Sequence, residues 1–198
     1  MFMILLGWIV IAGCTALAAA ILIADVAVPN HDWIADTISD LGAGRYEFIV
    51  DIGLYSYSIG ILSAALLSAH VHLGGKRWSI GIFALLIFGL LVFLIGARNE
   101  YGDADSDGWV IHQYLVYGVG AAVLVIAFTM AKGLKRANDR YAYAMRGLGA
   151  LWMISAPVFF FLPTDIDGLY ERALGVISGA ILITLAIFFI RRGCHLAA

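Results

Sequence analysis

Six long apolar runs, at roughly 2–24, 48–72, 79–97, 109–131, 147–163 and 170–190, take up most of the 198 residues. A helix crosses the hydrocarbon core with about 20 apolar residues, within a range of roughly 17–25, and 147–163 sits at the lower limit. Lipid offers the backbone no hydrogen-bonding partner, so each run must be a helix or a strand of a closed barrel. Barrel strands alternate apolar and polar residues, and these runs do not. Charged residues make up 13% of the chain, about half the roughly 25% of an ordinary soluble domain. That excludes a single soluble globule. Short connections leave no room for a second domain. The reading is therefore all-α: one integral membrane domain over 1–198, a polytopic six-transmembrane-helix bundle.

The charges divide by side. Lys76, Arg77, Lys132, Lys135, Arg136, Arg140, Arg146, Arg191 and Arg192 fall after the second and fourth runs and in the C-terminal tail, with Asp139 the one acid among them. The other side holds thirteen of the fourteen acids and only Arg45, Arg98 and Arg172. The positive-inside rule puts the basic side and both termini in the cytoplasm. We expect residence in a prokaryotic inner membrane. Trp33, Tyr46, Trp109 and Tyr170 read as the outer aromatic belt, and Trp78, Tyr141 and Tyr143 as the inner one. The N-terminal run contains Ile11-Ala12-Gly13-Cys14 but no basic residue up to Ile11, so we expect a retained span, not a cleaved signal. Cys14 and Cys194 should lie at different depths, too far apart for a disulfide. No Lys/Arg run tracks a phosphate backbone, which argues against nucleic acid. Gly175 and Gly179 form a small-xxx-small pair, predicting close helix packing.

The acid-rich face is where chemistry is expected. In the first outer connection, 25–47, Trp33, Ile34, Ile38 and Leu41 recur at helical spacing, opposite Asp32, Asp36, Ser39 and Asp40. This predicts a short amphipathic helix, ended by Gly42 and Gly44, as an interfacial cap or a lid over a pocket. Glu47, Asp51, Tyr55 and Ser58 form one stripe entering the membrane. An acid at the depth of Asp51 should face the bundle interior, with Arg98 as its candidate partner. The expected pocket residues are Ser39, Asp40, Asp51, Arg98, His112, Asp165 and Arg172.

Asp103-Ala104-Asp105-Ser106-Asp107-Gly108 carries the front half of a calcium loop, with alternate carboxylates and a turn glycine. Asp103, Asp105 and Asp107 are thus candidate Ca²⁺ ligands, and Ca²⁺ is the candidate cofactor. The back half is missing: Tyr114 stands where a bidentate Glu belongs, so Glu100 or Asp165 would have to contribute. The simpler reading is a solvated acidic turn with Asp107 at a helix start. Asp105-Ser-Asp107-Gly108 through His112 also aligns with Asp165-Ile-Asp167-Gly168 through Arg172, each opening a span. His112 beside carboxylates is a candidate acid/base, with Asp165 assisting. Ser39, Asp40 and His112 do not form a triad by spacing, and no established hydrolase or phosphate-loop motif is present.

Thr37-Ile38-Ser39-Asp40-Leu41-Gly42 between spans one and two resembles the mostly prokaryotic membrane family known as domain of unknown function 998. More distantly it is similar to the FRAG/DRAM/Sfk group, which has a comparable Ile-Ser-Asp segment. Asp107 and His112 match the family's acid-then-His start to span four, and Pro163, Asp165, Gly168, Leu169 and Arg172 its exit from span five. Ala97-Arg98-Asn99 departs from the Phe-Pro-like exit of span three. The resemblance implies six spans and, through the eukaryotic relatives, a connection with lipid.

Three function classes follow. The favoured one is a membrane protein with an outward polar pocket for a cation or a lipid headgroup. The second is an outer-leaflet lipid-modifying enzyme using His112 with Asp40 or Asp165. The third is an accessory subunit packed against other membrane subunits. Membrane lipids are the expected partners in the first two.

Overall fold

The computed structural model describes residues 1–98 and 106–197. Among them lie seven α-helices and no strand. They are α1 (Phe2–Ala27), α2 (Ile38–Leu41), α3 (Glu47–Val71), α4 (Lys76–Ala97), α5 (Ser106–Ala137), α6 (Asp139–Val158) and α7 (Asp167–Ala197). All but α2 are long and apolar enough to cross a membrane. The protein is an integral membrane six-helix bundle.

The six long helices form a ring. α1 packs on α3, α3 on α4, α4 on α5, α5 on α6, α6 on α7, and α7 returns to α1. Their outward faces carry Leu5, Trp8, Ile59, Phe83, Leu90 and Ile154, each exposed. A soluble protein would hide such a continuous apolar surface; a bilayer solvates it. With no hydrophobic drive between helices in lipid, close approach depends on small residues. Gly13 and Gly60 supply it between α1 and α3, where a Cβ on Gly13 would meet the Ser56 carbonyl and the Gly60 Cα.

The two ends of the ring are filled differently. Toward the basic end the lumen is solid, with Leu67, Trp78, Met130, Leu134, Met145, Leu185 and Phe189 fully buried. Trp78 is therefore not an interfacial anchor: its indole N–H reaches the Ser68 carbonyl at 2.8 Å and its ring is core. Arg136 Nη1 donates to the carbonyls of Leu73 and Gly74 at 3.3 and 3.4 Å, tying α5 to the α3–α4 connection. Toward the acidic end the lumen opens into a cavity.

Three further expectations change. The connection read at 132–146 is helical almost throughout, because α5 runs to Ala137 and α6 starts at Asp139. Asn138 alone breaks the chain, its side chain accepting the Arg140 N–H at 2.9 Å as an N-cap. The amphipathic helix of the first connection shrinks to the four residues of α2. Asp32 Oδ1 accepts the N–H groups of Ile34 and Ala35, at 3.0 and 3.4 Å, which holds a turn in place of a helix. Finally, Gly175 and Gly179 do not pack against a helix: a Cβ on either would meet nothing within 4 Å. Both line the cavity.

Candidate functional site

The acidic-end cavity measures about 1150 Å³ and is walled by α1, α3, α4, α5, α6 and α7, with α2 at its mouth. Most of its lining is apolar, including Leu17, Ile21, Leu54, Phe88, Val92, Leu124 and Ile183. Tyr57 and Ser178 stand deep in it, their hydroxyl oxygens 3.0 Å apart and joining α3 to α7. Glycines 120, 175 and 179 all line it, with open space where their side chains would be. Met153 of α6 (50% exposed) and Val176 of α7 (72% exposed) belong both to the wall and to the outer surface. The cavity thus reaches the bundle's flank at the α6–α7 seam.

Polar groups gather at the mouth. A capping box starts α2: the Thr37 N–H and hydroxyl donate to Asp40 Oδ2, each at 2.7 Å, and the Asp40 N–H donates to Thr37 Oγ1 at 3.2 Å. This fixes Ser39, which lies between the two, and its Oγ is 3.0 Å from His112 Nε2 on α5. His112 is 8% exposed and Ser39 half-buried, and both line the cavity. The Ile38 N–H donates to Glu171 Oε2 at 2.6 Å, so α2 is also held by α7.

Arg172 secures the rest of the connection. Its Nη1 donates to the carbonyls of Asp36 and Gly168, each at 2.9 Å, and its Nη2 to Asp25 Oδ1 at 2.6 Å. His31 completes the cluster, with Nε2 3.1 Å from Asp25 Oδ1 and Nδ1 3.4 Å from Asp36 Oδ2. The backbone joins in: the Gly168 and Leu169 N–H groups donate to the Ala35 and Ile34 carbonyls at 3.3 and 2.9 Å. Gly168 must be glycine for this docking, since a Cβ would overlap the Asp36 carbonyl.

Of the residues expected in one pocket, Ser39, Asp51, His112 and Arg172 line the cavity. Asp40 is not on the wall; its Oδ2 accepts from Thr37. Arg98 closes α4, its N–H on the Leu94 carbonyl at 3.1 Å, and does not line the cavity. Asp165 is exposed and off the wall. In the stripe that begins span two, Tyr55 and Ser58 reach the backbone of α4, donating to the Gly96 and Gly89 carbonyls at 2.8 and 2.7 Å. Among the candidate calcium ligands, Asp103 and Asp105 lie outside the described residues and Asp107 stands in the first turn of α5. Among the described residues no three His, Cys, Asp or Glu side chains converge to hold a metal ion.

Sequence reasoning passed over Asp25 and Glu171. Asp25 was detectable as an acid in the last turn of an apolar span, the same cue that picked out Asp51. The aligned D-x-D-G segments end on His112 and Arg172, and the structure brings both of these bases to the one cavity.

A family model described as a protein of unknown function (DUF998) matches residues 10–187. No curated protein and no solved structure matches the chain.

Proposed function

We propose that this chain, an integral membrane protein that belongs to the DUF998 family, binds an amphipathic lipid in its acidic-end cavity. The hydrocarbon lies against the apolar wall, and the headgroup meets Ser39, Asp51, His112, Glu171 and Arg172. The observation that carries this reading is the union of an apolar cavity of about 1150 Å³ with polar groups at one end. A bare cation needs about six to eight oxygens at roughly 2.3–2.6 Å if it is calcium. Most of this cavity would be useless to it. A wholly apolar ligand would make no use of the polar groups at the mouth.

The seam between α6 and α7 supplies a route from the bilayer, so the ligand need never cross water. With the basic end in the cytoplasm of a prokaryotic cell, the ligand comes from the outer leaflet of the inner membrane.

The test is lipid analysis of protein purified in mild detergent, with Gly175→Leu and Gly179→Leu beside the parent chain. Each leucine projects into open space and fills cavity without meeting a neighbour within 4 Å at its Cβ. The parent should carry a stoichiometric amphiphile by native mass spectrometry, and both variants should remain folded and lose most of it. Parent and variants carrying the same lipid load, or none, would refute the reading.

A further inference from the structure

We infer that Ser39 and His112 form a nucleophile–base pair that transfers or hydrolyses an acyl ester held in the cavity. The inference rests on the lipid-binding reading for its substrate class and on separate geometry for its chemistry. Ser39 Oγ and His112 Nε2 are 3.0 Å apart, inside the hydrogen-bond reach of about 2.6–3.2 Å expected for a serine and its general base. They come from elements 73 residues apart in sequence, so local capping does not explain the contact. Both sit at the polar end of an apolar chamber, where the ester of an acyl lipid would lie if its chain filled that chamber. Asp40 Oδ2 accepts from Thr37, and Asp165 is exposed and off the wall. His112 Nε2 meets Ser39 Oγ.

The chemistry balances without a metal or redox partner. With His112 protonated at Nδ1, the Ser39 hydroxyl donates to Nε2. Ser39 Oγ bonds to the ester's carbonyl carbon as its proton passes to Nε2. The carbon–alkoxy bond then breaks, and the leaving alcohol oxygen takes that proton, leaving an acyl-Ser39. An incoming water, or an acceptor hydroxyl, gives its proton to Nε2 and its oxygen to the carbonyl carbon. Ser39 leaves with the proton returned.

The test uses the full-length protein in detergent and a fluorophosphonate–rhodamine probe, which phosphonylates activated serines. The labelled position is read by peptide mass spectrometry. The native chain should be labelled at Ser39, and heat-denatured chain should not. Ser39→Ala should abolish the signal. His112→Gln, close in size and polar, should slow labelling at least about a hundredfold, the lower bound of general-base contributions, with its melting temperature kept. Native protein unlabelled at Ser39, or labelled as fast in His112→Gln as in the parent, would overturn the pair. Labelling without a bound lipid would retain the pair and remove the lipid reading. Bound lipid without labelling would do the reverse.

Discussion

Arg172 shows how one residue sets the shape of the cavity's mouth. Its guanidinium bonds to a carboxylate on α1 and to two backbone carbonyls, one in the first connection and one on α7. The Arg172 and Asp25 side chains are only 13% and 14% exposed. Removing one member of such a pair leaves the other charge poorly solvated. Arg172→Ala should therefore cost about 2–3 kcal/mol, at or below the low end of the range for breaking a buried pair because some water reaches both groups. The melting temperature of detergent-solubilised protein should fall accordingly. Adding Asp25→Ala should recover part of the loss, since the stranded carboxylate is then gone. A double variant as unstable as the sum of the singles would show that the two groups act independently. Arg172→Lys should not rescue, because a point charge cannot serve acceptors spread over a planar fork. This much of the site was partly legible. Arg172 and His112 stood out as bases at the starts of spans, and Asp51 as an acid within one. Their convergence was not legible, because 133 residues separate Ile38 from Glu171 and 147 separate Asp25 from Arg172. Side-chain type limits what a residue can do; the ring order of the helices decides what it does it with.

At the scale of elements, spans were easier to read than their ends or their faces. Hydropathy locates the part of a helix that lipid solvates, so all six crossings were evident. It is blind to a helix that continues into water, as α5 and α6 do on either side of Asn138. Lys132, Lys135 and Arg136 are good helix formers and end the apolar stretch without ending the helix. The glycines give the sharper lesson. Spacing shows that Gly175 and Gly179 share a face, but not whether that face meets a helix or a void. Gly13 does meet one, at the Ser56 carbonyl and Gly60 Cα, and Gly179 meets nothing within 4 Å. The same substitution should then have opposite signs at the two sites. Gly179→Ala should be neutral or stabilise by up to about 1 kcal/mol, through reduced freedom of the unfolded backbone. Gly13→Ala should destabilise by about 1–3 kcal/mol, as overpacking forces α1 away from α3. Thermal melts of the two single variants decide it. A stability loss at Gly179 matching that at Gly13 would mean that α7 is packed on that face after all.

For the whole molecule, the governing asymmetry is that charge and packing vary together along the bundle axis. The basic end is solid, the acidic end is hollow, and the charged residues of the cavity lining belong to the acidic end. If the Lys/Arg excess sets orientation, the hollow end faces away from the cytoplasm and the lipid we propose as its ligand comes from the far leaflet. The reverse orientation would send the same cavity to cytoplasmic-leaflet lipid and change the physiology entirely. The chain carries its own reporter. Cys194 is exposed near the end of α7, at the basic end, whereas Cys14 is half-buried within α1. A membrane-impermeant maleimide added to intact spheroplasts should leave Cys194 unmodified, then label it once the membrane is permeabilised. Asp165→Cys, at an exposed position between α6 and α7 on the acidic end, should label in intact spheroplasts without permeabilisation. The two sites control for each other, since both are exposed on the protein and differ in the side of the bilayer they occupy. Labelling of Cys194 in intact spheroplasts, with Asp165→Cys protected, would invert the bundle. The Ser39–His112 pair would remain at the mouth of the cavity, and the leaflet that supplies the proposed substrate would change.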